Sequence, residues 1–479
     1  MKKTDSSPGE KWYDRFVKNS ASEKKGKKTA RGFSNTRGTR SGPETAGNGA
    51  NGRSEKNGTS PQRSAYAFHP HTADAKLLSV SHLFENAAVP QDAREVLNTF
   101  SAIVQGVFPS SGRQQLSLPQ DVRRLSHELT DDRAERRVGY MNDPACLSAY
   151  VRYFSWWNLV RLTRFFANLG SRSFPLEDGN YCLDMGSGPL TVVTALWLAC
   201  PELRSRKLTW YCMDISQNAL SLGEDLYLSV AARTPPAEPG AEPHWNIIRV
   251  KGALGTDIRE KASFITCANM LNELYQNGRN TPEDLAGKYA AELLSYAAER
   301  HTVLIVEPGV PRQARIISLM RDAFIKKNMT ITAPCPHLLE CAMNGLHARM
   351  GGTAKWCNFS FAAEDAPQQL LRLSDDAGIP KERAVLSFVL ATNAARETVG
   401  KQPEAQHVPL TLRIASDPIR LPGHRTGYYA CSTLGLTLAV DASGTGFKSG
   451  DSITVTPLRD FNTLQKDAKT GAPELSIEK

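Results

Sequence analysis

The spacing of apolar and polar positions divides the chain into regions of different character. From about residue 76 to about 175 the apolar positions recur at helical intervals. In "ACLSAYVRYFSWWNLVRLTRFFANL", Leu147, Tyr150, Val151, Phe154 and Trp157 fall at helical spacing, with Arg152, Arg161 and Arg164 interspersed. At "YCLDMGSGPLTVVTALWLAC" (181–200) the pattern changes to a short apolar run, a Gly-rich turn and an apolar segment of helix length. "LTWYCMDIS" then predicts a second strand ending at Asp214, with its helix in "QNALSLGEDLYLSVAARTP". "WNIIRV" and "ASFITCANML" predict two more strands, "PEDLAGKYAAELLSYAAER" a helix, and "TVLIVEPG" another strand. Strands alternating with helices predict a mostly parallel, doubly wound α/β sheet covered on both faces. After about residue 400 the pattern turns β-rich with frequent Gly and Pro, in "PLTLRIAS", "GYYACSTLGLTLAVD" and "DSITVTPL".

The predicted organisation is a disordered tail (1–75), a helical N-terminal region (76–175) and a Rossmann-like core (176–330). A Cys-rich segment with the end of the core (331–400) and a β-rich C-terminal unit with a disordered end (401–479) complete it.

Charge sharpens the first of these. Of the 58 Lys and Arg and 49 Asp and Glu in the 479 residues, residues 1–65 hold 15 and 6, leaving 43 of each sign in the remainder. The net charge of +9 therefore resides in the tail, whose Gly, Ser, Thr and Asn content cannot bury enough apolar surface to offset ordering. Such a tail is either a solubilising segment or an arm that contacts phosphates; Phe33 and several Arg/Gly pairs favour the arm. The interspersed arginines of the helical region admit the same two readings, a solvated face or a face turned to RNA. The longest strongly apolar run, 190–200, is too short to span a bilayer. The start of the chain lacks an apolar signal core and carries Asp5, Glu10, Asp14 and Glu23, which favours the cytoplasm, with the mitochondrial matrix as the alternative.

The pair "LDMGSGPLT" and Asp214 carries the first candidate chemistry. A Gly-rich turn after the first strand of a doubly wound sheet lets backbone approach a ligand, and an acid ending the second strand binds ribose hydroxyls. Asp184, Gly186, Ser187 and Gly188 form the turn, and Asn269 and Asn272 lie near the expected pocket mouth. The dinucleotide fingerprint fails at Thr191, where its third glycine would stand, and no phosphate-cradling lysine is present. The turn resembles the first motifs of class I S-adenosylmethionine-dependent methyltransferases. It departs from them at Leu190, where a third glycine is common and a leucine is expected to narrow the pocket.

Cys335, Cys341 and Cys357 lie in one short stretch, spaced more loosely than a zinc ribbon. In a reducing compartment such thiols suit an iron–sulfur cluster or zinc, with His337, His347 or the distant Cys431 as the fourth ligand. Cys182, Cys200, Cys212 and Cys267 read as buried apolar residues, although Cys267 also stands where some RNA pyrimidine methyltransferases carry a nucleophile.

A wider resemblance joins these features. "LPQDVRRLSHELTDDRAERRVGYMND", "LSAYVRYFSWWNLVRL", "LDMGSGP", "NMLNEL", "VEPGVPRQARII", "CPHLLEC", "KWCNFSF" and "RIASDPIRLPGHRTGYYAC" occur in order over about residues 118–440. Together they resemble the methyltransferase-like family associated with the small subunit of the mitochondrial ribosome, which also has bacterial members. The resemblance implies a class I methyltransferase fold binding S-adenosylmethionine and a 4Fe–4S cluster, with zinc as the alternative metal. It maps the cluster ligands onto Cys335, Cys341, Cys357 and Cys431. It implies action on small-subunit ribosomal RNA during assembly or modification, by a chain that is monomeric away from the ribosome and has no membrane partner. Either methyl transfer or a non-catalytic assembly role fits, since no residue stands out as base or nucleophile.

Overall fold

The computed structural model describes residues 73–83, 88–130, 139–271, 281–346, 355–363, 365–393 and 409–479. The basic tail with Phe33, and Asn272 and His347, lie outside the described residues.

The region expected to be helical from residue 76 opens instead with a strand, β1 (Ala75–Ser81). Helix begins at Gln91–Val107, followed by Gly112–Thr130, Pro144–Ala149, one π-helical turn at Tyr150–Ser155 and Trp156–Leu169. The predicted apolar face is buried through Leu147, Val151 and Trp157. The arginines on this segment do not form a solvent face. Arg152 and Arg161 are each only 9% exposed, and Arg164 pairs with Asp365.

The central sheet contains β2 (Tyr181–Met185), β3 (Thr209–Asp214), β4 (Asn246–Lys251), β5 (Ala262–Ala268), β6 (Ala297–Pro308), β7 (Thr330–Ala333), β8 (Phe359–Ala362) and β9 (Arg383–Thr392). Its order is β4-β3-β2-β5-β6-β9-β7, with β8 also paired to β9. The strands β2 to β6 run parallel and β9 runs antiparallel to β6. Parallel strands are covered on both faces, which is why β2 and β3 read as continuous apolar runs. The winding reverses between β2 and β5, and that reversal opens a crevice at the carboxyl ends of the strands.

The β-rich unit consists of β10 (Leu410–Ile414), β11 (Ile419–Arg420), β12 (Thr426–Ser432), β13 (Gly435–Asp441), β14 (Ser452–Pro457) and β15 (Glu474–Glu478). These strands join β1 in the order β10-β14-β1-β15-β13-β12-β11, and a further β10–β12 pairing closes a barrel. Closure removes the exposed edges an open sheet would leave. Two boundaries therefore change. Residues 75–81 belong to the barrel, where Ala75 pairs with Ile477 and Pro457. The end expected to be disordered is β15, whose Leu475 and Ile477 are wholly buried with Leu412, Ile414, Ile453 and Val455.

Candidate functional site

The Gly-rich turn sits at the crevice and is held from below. Gly186 and Ser187 donate their backbone N–H groups to the Met213 carbonyl at 2.9 and 3.0 Å, which fastens the turn to β3. Asp184, wholly buried, accepts from Ser187 Oγ at 2.6 Å and from Thr266 Oγ1 at 2.7 Å. Burial pushes its carboxyl up to about 6, against the lowering effect of those two hydroxyls. Asp184 thus locks β2, β5 and the turn together from beneath. Asp214 ends β3 and accepts the Gly188 N–H on Oδ2 at 2.9 Å and the Ser216 N–H on Oδ1 at 2.8 Å. Burial raises its pKa, opposed by these backbone donors. A carboxylate offers about four acceptor positions, so the two bonds leave capacity for ribose hydroxyls.

The departure at Leu190 resolves differently from expectation. Leu190 adopts the left-handed conformation (φ 54°) and is wholly buried. Its side chain packs against Gly223 on the Gln217–Ala231 helix, where an added Cβ would lie 2.7 Å from Leu190 Cδ1 and 2.5 Å from the Pro189 carbonyl carbon. Leu190 therefore does not narrow the crevice; a glycine on the neighbouring helix makes room for it.

What covers the turn is methionine. Gly186 has φ 70°, and a Cβ there would meet Met270 at 2.8 Å. Met141 lies over Gly188, and the adjacent Asn142 accepts from Ser216 Oγ at 2.9 Å. Asn269 follows β5 at φ 57° and accepts from Arg161 Nη2 at 3.3 Å. Arg161 also donates to the Val385 carbonyl at 3.1 Å, and burial lowers its pKa to about 10, opposed by the Glu307 carboxylate. Glu307 is itself wholly buried and accepts the Leu271 N–H at 2.9 Å. The residues fit a nucleoside-bearing cofactor, provided the flexible Met270 side chain moves off Gly186.

The second candidate site lies where barrel and central sheet meet. Cys335 follows β7, Cys357 precedes β8, Cys431 is on β12, and Cys341 lies in the loop between. Cys357 lies within electrostatic reach of Cys335, Cys341 and Cys431, and Cys431 within reach of Cys335 and Cys341. All are free, and burial raises the pKa values of Cys335, Cys357 and Cys431, the last to about 12. Two arginines serve the site. Arg321 donates Nε to Cys335 Sγ at 3.2 Å and Nη2 to the His337 carbonyl at 3.1 Å. Arg413, on β10 opposite Cys431, donates to the Pro334 carbonyl at 2.9 Å. His337 Nε2 lies 3.0 Å from Cys431 Sγ, beside the quartet. Among the described residues no three His, Cys, Asp or Glu side chains converge tightly enough to enclose a single ion.

Sequence reasoning brought together the turn, Asp214 and Asn269, and the four cysteines. It missed Glu307 and the inward course of Arg161. The signal for Glu307 was available, as a lone charge in the otherwise apolar "TVLIVEPG". Cys182, Cys212 and Cys267 are wholly buried and Cys200 nearly so, as core residues should be. Burial raises the Cys267 pKa well above the usual thiol value, which withholds the thiolate a nucleophile needs.

The model of the family described as mitochondrial small ribosomal subunit Rsm22 matches residues 175–424. The chain belongs to the Rsm22 family. The match spans the central sheet, the first three cysteines and the start of the barrel, and ends just before Cys431. No curated protein matches the chain. Among solved structures it is similar to YjhP from Escherichia coli, at 13% identity over 50% of this chain and 92% of the other, with a TM-score of 0.28. A SAM-dependent methyltransferase from Geobacter sulfurreducens, in complex with S-adenosyl-L-homocysteine, overlaps at 10% identity, 56% and 97% coverage and a TM-score of 0.28. One from Aquifex aeolicus overlaps at 15% identity, 48% and 92% coverage and a TM-score of 0.24.

Proposed function

We propose that this Rsm22-family chain binds S-adenosylmethionine at the Gly186–Gly188 turn, carries a 4Fe–4S cluster on Cys335, Cys341, Cys357 and Cys431, and acts on small-subunit ribosomal RNA. The observation that carries the reading is the turn bonded to Asp214 at the point where the sheet reverses its winding. The bound cofactor would supply an electrophilic methyl group. Gly186 admits it to the backbone, Asp214 offers its spare acceptor positions to the ribose, and Asn269 and Arg161 border the acceptor side. The cluster would join β12 of the barrel to the segments flanking β7 and β8. The family description speaks of mitochondria, which favours the matrix over the cytoplasm. No described helix is long and apolar enough to cross a membrane.

A non-catalytic assembly role has its own support. Met270 rests on the turn, and Glu307, the buried carboxylate at the end of β6, is already engaged by Leu271 and faced by Arg161. Equilibrium dialysis of S-adenosylmethionine, with methyl transfer to purified small subunits, separates the readings. Binding that is lost in Asp214→Ala is expected in both. Transfer above background in the wild type alone supports the enzyme, whereas binding without transfer supports the assembly factor. Undiminished binding in Asp214→Ala would remove the turn as the cofactor site.

A further inference from the structure

A cavity of about 460 Å³ is lined by Trp157, Arg161, Lys381, Glu382 and Arg383, among others, and Arg161 joins it to Asn269 after β5. It lies at the ligand-binding end of the sheet. Because Pro308 pairs with Leu386, residues 380–385 extend beyond the carboxyl end of β6. We propose that this cavity seats a nucleotide phosphate, with single-stranded RNA as its source. The proposal rests on the RNA-directed reading above and names the part of the site that would hold the RNA.

Three observations carry it. Arg161 is nine-tenths buried, and its Nε is a buried donor without a hydrogen-bond partner among the described residues. Its two terminal nitrogens are fixed by Val385, Asn158 and Asn269, so the side chain is oriented before any ligand arrives. Lys381 holds its ammonium 5.1 Å from the Trp157 ring centroid and 5.4 Å from that of Tyr153, and among the described residues no carboxylate is bonded to it. Burial, with Arg161 adding to it, lowers the Lys381 pKa to about 8. An arriving anion would relieve a cation that the fold keeps desolvated. The remaining lining charges are Arg383, which already pairs with Asp417, and the exposed Glu382. Glu307 faces Arg161 from within the core, so Lys381 is the cation of this cavity that the described carboxylates leave unbonded, on walls sized for about one nucleotide. Arg161 links this cavity to Asn269 at the cofactor crevice, so a phosphate held here would bring the adjoining nucleotide toward the turn.

Two measurements on the full chain test this. Equilibrium dialysis should detect binding of uridine monophosphate but not of uridine. Fluorescence anisotropy should follow a labelled single-stranded hexaribonucleotide of mixed sequence across a salt series. Lys381→Met, which keeps the apolar stem over the two rings, should weaken both phosphate-bearing probes roughly tenfold. It should also flatten the slope of log affinity against log salt by about 0.7, the value for one lost contact to a single strand. Lys381→Arg should restore both. Unchanged affinity and slope in Lys381→Met would overturn the cavity while leaving RNA binding elsewhere on the chain intact. Monophosphate binding that depends on Lys381, with no hexamer bound by the wild type, would keep the phosphate site, assign it to free nucleotides and defeat the RNA-directed reading. Hexamer binding that ignores Lys381, with no monophosphate bound, would place RNA recognition elsewhere on the chain.

Discussion

The two candidate sites are built in opposite ways. The Gly-rich turn is finished within one sheet: its backbone donors are bonded to Met213 and Asp214, and Asp184 is bonded to Ser187 and Thr266. The cysteine site is gathered from segments far apart in sequence and divided between sheet and barrel, and burial raises the pKa values of Cys335, Cys357 and Cys431. The first needs only a small displacement by Met270 to receive a ligand. The second is held by contacts from Arg321, Arg413 and His337, of which the last two reach across the seam between sheet and barrel. A preorganised site binds with little reorganisation, while an assembled one makes ligand binding part of folding.

The largest expected effect breaks that contrast at the cysteines. Cys431→Ala should abolish iron and sulfide content in protein purified without oxygen. It should also lower stability by roughly 4 kcal/mol or more, in the range typical of a lost metal site, as seen in thermal unfolding. The same substitution should leave S-adenosylmethionine binding within about twofold, since distant sites act nearly independently. Loss of cofactor binding together with the metal would show that the two sites are coupled. Next comes Gly223→Ala, whose new Cβ meets the backbone of Pro189 at 2.5 Å. Overpacking there should cost about 1–3 kcal/mol and should displace the turn, so cofactor affinity measured by calorimetry should fall along with the melting temperature.

Met270→Ala works in the opposite direction. Removing the side chain that rests on Gly186 should raise cofactor affinity a few-fold, on the order of the ~1 kcal/mol a displaced flexible side chain represents. Unchanged affinity would mean that Met270 does not obstruct the ligand. The smallest effect concerns acidity. The Asp184 carboxyl titrates at about 6 in the folded protein, against 3.8 ordinarily. Between those values the folded state retains a proton that the unfolded chain has released, so stability falls as pH rises from about 4 to 6. Asp184→Asn should remove that slope, because hydroxyls can turn to donate or accept as an amide requires. Denaturant midpoints measured at pH 4, 5 and 6 would check it.

Legibility in the sequence followed the range of the interactions. The strands β2 and β3 were readable because a doubly buried parallel strand is a continuous apolar run ended by its functional acid or glycine. β1 was not, since "AKLLSVS" has no clean alternation and its partners lie nearly four hundred residues away. The course of β15 was hidden for the same reason. Asp214 could be placed from local spacing alone. Three of the cysteines stood out by local clustering, but only family resemblance chose Cys431 over His337 and His347 as the fourth, because no rule of spacing links Cys431 to Cys335. Arg161 read as a surface cation, and only the packing of its helix against β9 turns it inward.

The pairing of Ala75 with Ile477 also sets an order in time. A chain emerging from its ribosome can complete the central sheet once β9 has been made, but β1 must wait for β14 and β15, which are synthesised long after it. The wall that carries Cys431 closes only then. Translation must therefore pass β15 before the four cysteines have all their surroundings, so a chain interrupted after β9 would keep its Gly-rich turn and leave Cys335 and Cys357 without Cys431.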